Sequence, residues 1–192
     1  MPNWCDTTYK CVGDPKEVRS LYKIIQRNAK RKTPRIKNGF GVKWLGCIID
    51  ALGYDWEQYR CRGEISHAYL QDGVLTIHQN TAWCEQEGFR EVIEKAYPSI
   101  KVYYREEECG CEVYHTNDTT GRFFPERYFL DNYDEPLYYE TIKEAAESVS
   151  GIVEHKVEPS IEAIKKALDL YQEEHEDEDI FYSFHEFSID KS

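Results

Sequence analysis

The 192-residue chain contains no apolar run approaching the roughly 18–20 residues that a membrane-spanning helix needs, and its first residues show no basic-then-apolar leader. No membrane partner is expected, and the default compartment is cytoplasmic. Four short catalytic or nucleotide-binding motifs are also missing: a Gly-x-Ser-x-Gly elbow, a P-loop, a His-Glu-x-x-His pair and a Gly-x-Gly-x-x-Gly turn. No cofactor is therefore expected, and the balance leans against an enzyme. No internal repeat is visible. The seven cysteines are odd in number and spread from Cys5 to Cys111 without a regular framework, which favours reduced thiols over a stapled secreted domain. Cys109-x-Cys111 lacks both the Cys-x-x-Cys spacing and a second pair, so no metal site is predicted from it.

Acidic residues are absent between Glu17 and Asp50, while Arg19, Lys23, Arg27, Lys30, Arg31, Lys32, Arg35, Lys37 and Lys43 supply nine cations there. Residues 1–133 carry 19 acidic and 19 basic side chains, and residues 134–192 carry 17 and 5, so the whole net charge of −12 lies in the last third. A local positive field beside a negative C-terminal region follows. With 41% hydrophobic residues, the length suits one sizeable core plus an appendage. The expected division is a main domain over 1–133, with an insert at about 33–60, and an acidic helical extension over 134–192. That extension ends in a strand, expected to pack on the main domain.

Alternation over residues 3–12, broken by Gly13-Asp14-Pro15, predicts a strand, with Asp14 as N-cap and Pro15 as the first residue of a helix. Val18, Leu21, Tyr22 and Ile25 then give that helix one apolar stripe. Trp44, Leu45, Ile48, Ile49 and Leu52 predict a second, short helix ended by Gly53. Asp72-Gly73 is a type I′ hairpin signal, since both central residues must take positive φ. A two-residue loop there sets Leu70 opposite Leu75, Ala68 opposite Ile77 and His67 opposite His78. A helix over about 85–97, stopped by Pro98, and strands near 100–107 and 110–117 complete the order β-α-(insert)-β-β-α-β-β. This is the α+β, ferredoxin-like β-α-β-β-α-β pattern of an antiparallel sheet, with an extra hairpin strand. Beyond the aromatic stretch 123–139, helices around 140–152 and after Pro159 precede a terminal strand over 180–189. The second helix carries Ile161, Ile164, Leu168 and Tyr171 on one face.

Four short segments carry a family resemblance: Pro2-Asn3-Trp4-Cys5, Gly41-x-Lys43-Trp44, Thr81-Ala82-Trp83 and the acidic turn Glu107-Glu108-Cys109-Gly110. Together they resemble the YubB-like, ferredoxin-fold proteins of plasmids, phages and other mobile elements, whose biochemical role is undefined. The resemblance covers residues 2–117 and independently implies the same fold. Asn3, Trp4, Cys5, Gly41, Lys43, Trp44, Thr81, Ala82 and Trp83 are the matching positions. This chain departs from the family at Val42 and Leu45, and at Cys84-Glu85, where the family has a proline-containing turn.

Residues 37–44 partly resemble the RNA-stacking motif of RRM domains, but the central aromatic is missing, which favours a glycine-bearing loop with Trp44 as a packing anchor. The His67 and His78 imidazoles are too few for a metal site, and Glu106-Glu107-Glu108 reads as solvated turn charge. A non-enzymatic accessory protein that acts by protein–protein contact, its acidic surface over residues 134–192 mimicking a polyanion or gripping a basic partner, accounts best for this inventory. The alternative is single-stranded nucleic-acid binding through Arg27, Lys30, Arg31, Lys32, Arg35, Lys37 and Lys43. A third class, an enzyme with a cysteine nucleophile, predicts a thiol reactive well below about pH 8.

Overall fold

The structure is a computed structural model describing residues 3–132, 136–176 and 180–190. Pro2 of the first motif, the expected 133/134 boundary and residues 177–179 of the acidic run lie outside the described residues. The chain is mixed α+β and divides into two compact units, one ending at Asn117 and the other beginning at Asp118.

In the first unit β1 (Trp4–Val12) and α1 (Pro15–Ala29) are followed by the short α2 (Leu45–Ala51), then β2 (Gly63–Gln71), β3 (Val74–Ala82), α3 (Glu87–Ala96), β4 (Lys101–Glu108) and β5 (Val113–Thr116). These strands lie in the order β2-β3-β1-β4-β5 with every neighbour antiparallel. β1 is central, with Tyr9 opposite Ile77 on one side and Tyr104 on the other. Asp14 caps α1 as expected, its carboxylate accepting from the Lys16 and Glu17 N–H groups at 2.8 and 3.4 Å, with Pro15 at the first helical position.

Val18, Leu21 and Ile25 of α1 and Phe89, Val92 and Ile93 of α3 join one core with Tyr9, Cys11, Leu75, Ile77 and Val102. Both helices therefore cover the same sheet face. α2 belongs to that core as well, burying Leu45, Ile48 and Ile49, each worth roughly 1.5–3 kcal/mol of apolar transfer as an upper estimate. The hairpin has the register that alternation predicts, with Asp72 (φ 50°) and Gly73 (φ 81°) both left-handed. Sequence alternation missed a slip between Ile65 and His67. The extra residue there turns Ile65 into the core while His67 stays outside.

The second unit carries β6 (Tyr128–Asn132), β7 (Leu137–Tyr139), α4 (Ile142–Ile152), α5 (Ile161–Glu174) and β8 (Tyr182–Glu186). Its strands run antiparallel in the order β7-β6-β8, and Leu130, Ala146, Val149, Ile164, Leu168 and Phe184 form a core of their own. The aromatic stretch thus supplies β6 and β7, placing residues 118–132 with the helices of this unit. Thr141 and Glu144 form a reciprocal capping box on α4, and Ser160 caps α5. Counted by unit, residues 1–117 carry 17 basic and 16 acidic side chains, and residues 118–191 carry 7 and 20. Among the described residues no helix is long and apolar enough to cross a membrane.

Candidate functional site

The motif segments lie far apart in sequence and meet at one end of the first sheet. Trp4 pairs with Ala82 and Cys5 with Thr81 across β1 and β3, and the Trp83 N–H donates to the Asn3 carbonyl at 3.0 Å. Asp6 pairs with Asn80 on one side and Glu107 on the other, Asn80 pairs with Glu64, and Glu64 forms an isolated bridge with Trp44. The fourth segment joins them through Asn3, whose amide donates to Cys111 Sγ at 3.4 Å. Glu108 holds that turn by accepting from the Gly110 and Cys111 N–H groups at 2.8 and 2.7 Å.

Two tryptophans at this end are exposed, Trp4 at 48% and Trp83 at 43%. Trp83 also sits in the left-handed region at φ 67°, an uncommon and costly conformation for a bulky residue. Arg62 stacks over its ring at 4.9 Å. Trp44, by contrast, is buried against Trp56, with ring centroids 4.8 Å apart, and is the packing anchor expected of it. Gly46 lets it in, because a Cβ there would lie 2.4 Å from the indole. Residues 41–43 form one 3-10 turn, so the RRM-like stretch is no strand.

Trp4 and Phe40, in edge contact at 6.0 Å between centroids, wall a groove of about 620 Å³ whose other lining residues are Asp6, Gly39, Glu64 and Asn80. Strand alternation puts Trp4 and Asp6 on the sheet face opposite the helices. Among the described residues neither Asp6 nor Glu64 forms an ion pair, whereas Glu107 beside them is bridged to Arg105 at 3.0 Å. A concave site with aromatic walls and two carboxylates outside any ion pair among the described residues suits a cation.

The predicted basic residues line more than one cavity. Arg27, Arg31 and Arg35 line a pocket of about 250 Å³ with Ile24, Asn28 and Ala51, and Arg35 is held by Asp50 at 2.5 Å. Lys43 lines a different cavity beside β2, and Lys37 a third beside Trp56. Lys30 caps α1 and Arg27 lies in its last turn, where positive charge complements the helix dipole. Lys32 is exposed. His67 and His78 are cross-strand neighbours with centroids 6.4 Å apart, beside Tyr69. Burial first, then Lys10 and His67, lower the His78 pKa. No cluster of three or more metal-binding side chains occurs among the described residues.

Sequence reasoning missed a buried polar network on the helix side. Residues 101–108 are strand, so Glu106 points inward and the reading of this trio as solvated turn charge is corrected. Glu106 accepts from the Glu85 N–H and pairs with His115 Nδ1 at 3.0 Å. Glu85 in turn accepts from the Tyr9 hydroxyl and from Arg90 Nε at 3.2 Å. Burial pushes the Glu85 pKa up, against the lowering effect of Arg90. All seven cysteines are free. Burial raises the thiols of Cys5 to about 12 and Cys61 to about 11, and raises Cys11 and Cys84 as well. Cys111, at the surface, is raised by its hydrogen bond with Glu108.

Set against protein-family models, curated proteins and solved structures, the chain matches none.

Proposed function

We propose that this chain is a cytoplasmic accessory protein of the YubB-like, mobile-element type, and that it acts by protein–protein contact without catalysis. Its docking surface is the tryptophan end of the first sheet. The observation that carries the reading is the pair of exposed tryptophans, one held in a strained backbone, where four sequence-distant motifs meet. Tryptophans at a protein surface are the commonest anchors of interfaces, and strain of this kind clusters at functional sites. The fold reading is ferredoxin-like. The β-α-β-β-α-β order, the antiparallel arrangement β2-β3-β1-β4 and two helices on one face support it. The acidic balance of residues 118–191 favours a basic partner.

A photo-crosslinking phenylalanine analogue at Trp83, with the same analogue at Asp72 as control, tests the docking surface in the host. One discrete protein conjugate at position 83 and none at 72 is expected. Indistinguishable patterns, or turnover of a substrate without any conjugate, would overturn it.

The second reading, single-stranded nucleic acid on the basic segment, draws on the pocket shared by Arg27, Arg31 and Arg35. It requires oligonucleotide affinity that falls steeply between low and moderate salt.

A further inference from the structure

We infer that the groove between Trp4 and Phe40 is a subsite for one arginine side chain of the protein partner; this rests on the docking reading above. The walls are aromatic, and the two carboxylates that line the groove, Asp6 and Glu64, have no ion-pair partner within the described residues. Asn80 stands between them in register, paired with Asp6 across β1 and with Glu64 across β2, and adds an amide oxygen. A guanidinium group uses all three features at once. It is planar and stacks on indole, and its fixed fork of donors matches carboxylate and amide oxygens. It is also weakly hydrated, so leaving water costs it less than it costs an ammonium group. The chain itself shows this chemistry one strand end away, where Arg62 lies 4.9 Å over the Trp83 ring. Among the described residues no cation lies over the Trp4 ring, and its groove of about 620 Å³ has room for the head and stem of one long side chain.

The other cationic occupant is a divalent ion. Two carboxylates and one amide fall short of the six to eight oxygens that calcium takes, and aromatic walls give it nothing.

The test uses the full chain and three probes: acetyl-Gly-Arg-Gly-amide, the same peptide with neutral citrulline for arginine, and calcium chloride. The readout is the Trp4 indole N–H resonance, assigned by its loss in Trp4→Phe. The arginine peptide should shift that signal while citrulline and calcium leave it in place. Added salt should weaken the shift, and Asp6→Asn with Glu64→Gln should weaken binding tenfold or more. Equal responses to arginine and citrulline, a response to calcium alone, or no shift with arginine would each overturn the subsite. Crosslinking from Trp83 in the Asp6→Asn/Glu64→Gln protein separates this from the parent reading. A conjugate that survives while arginine has no effect removes the subsite and leaves the docking surface. A conjugate absent from the unaltered protein as well removes both.

Discussion

At the scale of single residues, Trp83 combines strain with exposure, and the two effects have opposite consequences for stability and binding. Glycine at that position relieves a left-handed backbone worth about 1 kcal/mol but loses the Arg62 stack, worth about 0.5–1 kcal/mol at an exposed site. Trp83→Gly should therefore leave the melting temperature nearly unchanged and abolish the crosslinked or captured partner. A large fall in Tm would make Trp83 a structural residue instead. Thiol chemistry is predicted from the raised pKa values. Iodoacetamide should leave Cys84 and Cys111 unlabelled well below pH 8 in the folded chain, and should reach Cys5, Cys11 and Cys61 only on unfolding, as peptide mapping would reveal. Rapid alkylation at pH 6 would revive the nucleophile hypothesis. Asp118 gives a pH test. Burial alone would raise its pKa, but N–H donors from Phe123 and Phe124, at 2.6 and 3.0 Å, outweigh it and hold the group below the ordinary carboxylate range. A depressed pKa stabilises the fold above the unfolded value of about 3.9, and that stabilisation is lost as pH falls through the folded value. Asp118→Asn should thus cost about 1–3 kcal/mol near pH 7, and its deficit should close below about pH 4 in urea titrations. A deficit independent of pH would mean that the carboxylate charge plays no part.

Among the elements, α3 is placed by a glycine. A Cβ on Gly88 would lie 2.4 Å from the Arg60 amide nitrogen, so the helix start packs directly on the backbone of the preceding segment. Alanine is the better helix former by about 1 kcal/mol, yet backbone cannot move aside as a side chain can. The clash should win. Gly88→Ala is expected to lower stability by about 1–3 kcal/mol in chemical denaturation, and a stabilised variant would show that the 59–60 segment yields. Elements whose signals are local were legible: β1 by alternation, α1 by Asp14-Pro15, and the hairpin register by Asp72-Gly73. Non-local facts were not. Three consecutive glutamates hide the alternation of β4, so nothing in residues 106–108 shows which carboxylate will meet His115 and the Glu85 N–H. The β1–β3 register that brings Trp4 beside Ala82 and Trp83 depends on residues about 80 apart, so the groove could not be read in advance even though its wall Trp4 was singled out. The division between units was expected from charge, which reports surface. Leu130 of β6 is buried in the core of the second unit, a fact that charge does not report.

For the whole molecule, the charge asymmetry follows the two packed units: residues 1–117, with 17 basic and 16 acidic side chains, are close to neutral, and residues 118–191, with 7 and 20, carry the excess acid. A net charge of −12 repels polyanions and attracts cations at long range, over a screening length of about 8 Å at physiological salt. An arginine-bearing partner should accordingly associate fast at low salt and more slowly as salt rises, while the dissociation rate, set by the aromatic walls and direct contacts, should change much less. Single-stranded oligonucleotides should show the opposite order of preference, with weak binding even at low salt because the net charge of −12 repels them. Surface-plasmon measurements on the full chain between about 0.05 and 0.3 M salt separate the two, since the Debye length halves or more across that range. An association rate for the basic partner that ignores salt would remove electrostatic steering and leave the tryptophan surface to act through apolar contact alone. Tight oligonucleotide binding at low salt, lost at high salt, would transfer the function to the basic segment and away from Trp4 and Trp83.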